Sequence, residues 1–170
     1  MIKLLGCLMV AGASVLMALN YIKNLRVRVK GLRAMIEFFT VIRIKINYEL
    51  SSIPELIRGL KEKSSYPISS FLSECVSNLD KGKELKESWH LAIKSFSKQM
   101  CLTNSDTSML SEFSAGLGDS DLSGQIANIQ LYTEMLEKNL QEAEKILKEK
   151  SKVTLSCSLF GSLIILVLLI

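Results

Sequence analysis

The sequence predicts an all-α fold: a cytoplasmic helical bundle of about five to six helices between an N-terminal and a C-terminal transmembrane helix. Three observations carry that prediction. Uncharged apolar runs close both ends, LLGCLMVAGASVLMAL from Leu4 to Leu19 and VTLSCSLFGSLIILVLLI from Val153 to Ile170. Each is near the roughly 20 apolar residues that a helix needs to cross a bilayer. Between them, apolar residues recur at three- and four-residue steps, and both prolines, Pro54 and Pro67, fall where helices begin. The expected division is a transmembrane helix over 3–22, a helical domain over 23–152 and a second transmembrane helix over 153–170.

The first run could instead be a signal peptide, since Ala11-Gly12-Ala13 resembles a small-residue cleavage site. The run continues past that site, however, and five basic residues follow: Lys23, Arg26, Arg28, Lys30 and Arg33. A basic block there opposes export and favours an uncleaved anchor. Lys145, Lys148, Lys150 and Lys152 precede the second run, so the positive-inside rule puts the whole middle of the chain in the cytoplasm. Net charge is +4, but residues 34–152 hold 15 basic and 17 acidic residues. The basicity belongs to the membrane-side block, where it suits anionic headgroups, and no basic face interleaved with aromatics suggests nucleic acid.

The first helix is expected to run on toward residue 50, because Leu25, Leu32, Ile36, Phe39, Ile42 or Arg43, Ile46 and Leu50 hold a helical period. Ile42 to Ile46 alternates, but inside that longer pattern. Ser52-Ile53-Pro54-Glu55 reads as a capping box, opening a short helix marked by Ile53, Leu56, Ile57 and Leu60. After Pro67, the stripe Ile68, Phe71, Leu72, Cys75, Val76 and Leu79 predicts an amphipathic helix ended by the turn Asp80-Lys81-Gly82. Leu85, Trp89, Ala92, Ile93 and Phe96 mark the next, with Trp89 either a core anchor or part of an interaction face. Thr103 to Asp106 supplies caps for a helix bearing Met109, Leu110, Phe113 and Leu117. Finally Ile129, Thr133, Leu136, Leu140, Ala143 and Leu147 form a coiled-coil-like seam in a rod that continues unbroken into the last apolar run. Glu134 with Lys138, and Glu144 with Lys148, are placed to pair along it.

The stretch SAGLGDSDLSGQ, Ser114 to Gln125, is the one segment that imitates a reactive loop. As a phosphate-binding loop it lacks the lysine and the preceding strand, and Asp119 and Asp121 would repel phosphate. As a calcium loop it places Gln130 at the twelfth position, where the bidentate Glu belongs. A helix–turn–helix hairpin is the expected reading: Gly116 or Gly118 left-handed, Asp119 or Ser120 capping, Asp121 at the positive helix start. The four cysteines form no CxxC and read as reduced packing residues, and the single histidine, His90, has no ligand-spaced neighbour. No catalytic, cofactor-binding or metal-binding residues are assigned.

The arrangement LTNSD followed by LSEFSAGLGDSDLSGQIANIQL resembles the bacterial stage III sporulation protein AB family. The matching element is Leu117, Gly118, Ser120 and Asp121, with Gln125 four residues on. Gly82, Leu85, Ser88, Trp89 and Ala92 resemble an earlier pattern of that family, as does the ending LFGSLIILVLLI. The resemblance implies a helical domain similar to the inner-membrane platform protein of type II secretion and type IV pilus machines. It also implies a place in the transenvelope channel between mother cell and forespore, in the outer forespore membrane. The implied partners are a secretion-type ATPase and other sporulation channel membrane proteins, with no nucleic acid and no enzymatic activity. Platform proteins usually carry two such domains and this chain has one, so a homo-oligomer would restore the second copy. The alternative is a membrane-tethered helical regulator or sensor, with the long rod transmitting a signal.

Overall fold

The structure, a computed structural model, describes the backbone of residues 2–49, 52–117 and 122–169, and side chains at 9, 12–48, 52–117 and 122–151. The described residues form six α-helices: α1 (Ile2–Glu49), α2 (Ile53–Lys61), α3 (Ile68–Asp80), α4 (Leu85–Gln99), α5 (Asn104–Phe113) and α6 (Leu122–Leu169). A short 3-10 turn, Ser114–Gly116, follows α5, and no strand occurs among the described residues.

Two helices of 48 residues each, about 72 Å long at the usual rise, form the spine. They share the most extensive interface of the fold. Arg33 of α1 meets Glu144 of α6 at 2.6 Å. Farther along α1, Phe39 packs on Phe113 with ring centroids 4.5 Å apart, and Tyr132 of α6 packs on the same ring at 5.4 Å. Advancing along α1 from 33 to 39 thus means retreating along α6 from 144 to 132, so the two helices are antiparallel. Leu32, Met35, Phe39, Ile42 and Ile46 share one buried cluster with the seam residues Ile129, Leu136 and Ala143. The seam expected from the sequence is real, with Leu140 and Leu147 packed at its edge.

The four short helices lie against this spine, and local chemistry sets their limits. The Ser52 amide donates to the Glu55 carboxylate at 3.2 Å, fixing the start of α2, which buries Ile53, Leu56, Ile57 and Leu60. Gly82, at φ 81°, ends α3 while the Lys83 amide returns to the Asn78 carbonyl at 3.2 Å. That is a Schellman closure, and its left-handed residue is most easily a glycine. The end of α4 uses the same device without one. Cys101 adopts φ 52°, and the Leu102 amide reaches the Ser97 carbonyl at 2.9 Å.

Several expectations need correction. Of the two glycines offered for the left-handed position, Gly116 does not take it; it closes the 3-10 turn and lies where a Cβ would sit 2.7 Å from the Asn128 amide nitrogen, while Gly118 lies outside the described residues. Glu144 pairs with Arg33 across the spine, not along α6 with Lys148, because the antiparallel partner helix is within side-chain reach. Among the described residues no helix is long and apolar enough to cross a membrane. The expected span at 153–170 lies outside the described side chains, as does part of 3–22. The described side chains of α1 extend past the apolar stretch into the basic block Lys23, Arg26, Arg28 and Lys30.

Candidate functional site

The residues singled out in the sequence do not gather at one reactive centre. Leu117 is buried, 4% exposed, in extended backbone after the 3-10 turn. Gly118, Ser120 and Asp121 lie outside the described residues, and Gln125 is half-buried on the second turn of α6. Trp89 is wholly buried, so of the two roles open to it only the core anchor is available. Its indole N–H donates to the Leu110 carbonyl at 2.9 Å, and its ring meets Phe38, Phe39, Phe71 and Phe113 at 4.9–6.1 Å. One tryptophan therefore joins α1, α3, α4 and α5, with its single polar atom satisfied.

The sequence reading missed the strongest polar feature of the fold. Asp106, wholly buried at the third position of α5, accepts from Arg28 Nε at 2.8 Å and Nη2 at 3.2 Å. It also accepts from Asn139 Nδ2 at 2.8 Å and from the Thr103 amide at 2.9 Å, while its own amide donates to the Thr103 hydroxyl. One carboxylate thus caps its own helix and ties α1, α5 and α6 together. Burial pushes the Asp106 carboxyl up, but the bonds from Arg28 and Thr103 and the Arg28 charge outweigh burial and hold it below the usual carboxylate range. Arg28, grouped by sequence with the headgroup-facing cations, is itself buried. One signal was present. Arg28 stands three residues after Leu25 and four before Leu32, where the apolar stripe of α1 calls for its next member.

Elsewhere the chemistry is sparse. Burial pushes the Cys75 thiol up to about 12, which leaves it a packing group. Among the described residues no three His, Cys, Asp or Glu side chains could jointly hold a metal ion. A cavity of about 280 Å³ lies where α1 meets the α2–α3 connection, lined by Phe38, Val41, Leu60, Tyr66 and Pro67 with Glu37 and Lys63 at its polar edge. Val41, Ile44 and Tyr48 continue from it as an exposed apolar stripe on α1. At the other end of α1, Met9, Leu16, Met17 and Leu19 are exposed, Met17 by 77%.

Taken together, these features define a helical scaffold: two long antiparallel helices, a tightly closed aromatic core, a buried ionic clasp, and apolar surface left at both ends. The comparisons with known proteins narrow that class. A family model described as Stage III sporulation protein AB (spore_III_AB) matches residues 3–170. The chain belongs to the stage III sporulation protein AB family, a family of sporulation proteins. Among solved structures the fold is similar to one titled Stage III sporulation protein AB (SpoIIIAB), with a TM-score of 0.63 and 23% identity. The similarity covers 71% of this chain and 96% of that one. No curated protein sequence matches significantly.

Proposed function

We propose that this chain is a non-enzymatic platform or adaptor of the channel between mother cell and forespore, anchored by both terminal helices in the outer forespore membrane. The domain over 23–152 faces the mother-cell cytoplasm, where it docks a secretion-type ATPase and contacts other membrane components of the channel. One observation carries the membrane part. Antiparallel pairing of α1 and α6 brings the two uncharged terminal runs to the same end of the spine, where Met9, Leu16, Met17 and Leu19 are exposed. A large apolar exposure of that kind is stable only when something apolar covers it. Tyr21 and Lys23, both exposed, stand where an interfacial aromatic and an inner basic flank belong. The ATPase part follows from the family resemblance, and the apolar stripe at the far end of α1 offers it a surface clear of the membrane.

The test has two readouts in sporulating cells. Alkaline washing of membranes is expected to leave the chain in the pellet, and detergent-solubilised chain is expected to bring down a secretion-type ATPase. Release by alkali would end the anchoring claim. Capture of a kinase or transcription factor in place of the ATPase would favour the sensor reading.

A further inference from the structure

Two exposed stripes of opposite charge run at matching heights on different helices of the bundle. From Ser88 to Ser105 the chain has no acidic residue, and His90, Lys94 and Lys98 stand four residues apart on the exposed face of α4. Lys86 continues the same ridge. Glu74, across the α3–α4 groove from Lys98, is an acid at its border. From Gln130 to Glu144, α6 has four acids and one base, Lys138. Gln130, Glu134, Glu137 and Gln141 form an exposed ridge there at four-, three- and four-residue steps.

The heights follow from contacts with α1. Met100, just past the end of α4, crowds Gly31, and Trp89 stacks on Phe38 at 6.1 Å. The basic ridge therefore lies between the levels of Gly31 and Phe38. On α6, Glu144 reaches Arg33, and Tyr132 shares Phe113 with Phe39. The acidic ridge lies between the levels of Arg33 and Phe39. Both ridges run along the spine, so an anionic membrane lying across the end of the spine would reach only the Lys98 end. A surface that stands alongside the spine would reach the whole ridge.

We propose that the basic ridge of α4 in one copy docks the acidic ridge of α6 in a second copy of this chain. The two surfaces differ, so the contact is head-to-tail and repeats around a ring or arc. The matched heights rest on the membrane reading above: copies anchored in one membrane in the same orientation present His90, Lys94 and Lys98 opposite Glu134, Glu137 and Gln141 without tilting. The contact is polar, so it is sensitive to salt, and anchoring in one membrane strengthens it further by raising the local concentration.

The test uses full-length chain in mild detergent, with oligomer mass followed against concentration and salt. The variants are Lys94→Glu, Glu137→Lys and the double reversal. The wild type is expected to associate at low salt and dissociate as salt rises. Each single reversal should raise the concentration for half-association about tenfold, and the double reversal should return it to within about threefold of wild type. Trp89 emission confirms that each variant is folded, and His90→Glu with Glu134→Lys provides a second swap. A strictly monomeric wild type, single reversals without effect, or a double reversal that fails to restore association would each overturn the proposal. So would loss of an acidic partner protein on Lys94→Glu with self-association unchanged, which would assign the ridge to that partner. Alkaline release from membranes would fail the anchoring claim alone, since restoration by double reversal is read independently of it.

Discussion

Replacing Asp106 with alanine removes the acceptor at the centre of the clasp. Four donor contacts to its carboxylate disappear, at 2.8, 3.2, 2.8 and 2.9 Å. The contacts cannot simply be added, because they share one carboxylate. The dominant cost is that Arg28, with only 9% of its side chain exposed, is left buried and unpaired. Breaking a buried pair from one side costs about 3–5 kcal/mol, and losing the carboxylate half of the capping box adds to that. The expected loss is about 4 kcal/mol, read as a fall of about 2 M in the urea midpoint at an unchanged slope. The chain has one tryptophan, Trp89, in the bundle core, so its emission reports unfolding of the bundle separately from the terminal runs. A midpoint within about 0.5 M of wild type would refute the reasoning, because it would mean that Arg28 finds water or another partner at little cost.

Four further outcomes follow. The Asp106 carboxyl is held below its ordinary range, so the clasp contributes fully above the unfolded carboxylate value and loses its contribution as pH falls through the lower folded one. Arg28→Met removes a cause of that depression and should move the acid limb of a stability–pH curve to higher pH. Trp89→Ala should cost about 3–5 kcal/mol in a thermal melt followed by circular dichroism, since it opens a cavity where four helices meet. Gly31→Ala should destabilise by about 1–3 kcal/mol because its Cβ would lie 2.6 Å from Met100 Cβ, whereas Gly59→Ala, with nothing within 4 Å, should be neutral or stabilising by up to about 1 kcal/mol. Cys75, buried with its thiol pushed up to about 12, should resist maleimide in the folded protein and react on denaturation, as mass spectrometry can follow.

Features governed by neighbours in sequence were legible. Ser52 and Glu55, Asp80 to Gly82, Thr103 to Asp106 and the seam from Ile129 to Leu147 each act over a few residues, and each sits where its pattern placed it. Trp89 was readable as a core anchor because it stands on an apolar stripe, although its acceptor, 21 residues away, was not. The clasp was hidden by distance. Arg28 and Asp106 are 78 residues apart, and each had a sufficient local explanation, as a headgroup-facing cation and as a capping residue. Cys101 was hidden for another reason. Its left-handed backbone follows directly on Met100, which packs against Gly31 of α1, and no glycine marks the turn. The matched charge ridges on α4 and α6 become visible only when the antiparallel spine sets their heights.

The central claim is that the helical bundle is a docking platform held at a membrane. Crosslinking with mass spectrometry in sporulating cells tests it most directly. Crosslinks are expected from lysines within 23–152 to a secretion-type ATPase and to other membrane components of the channel. Crosslinks from the bundle confined to a kinase or a transcription regulator, with none to an ATPase, would contradict it.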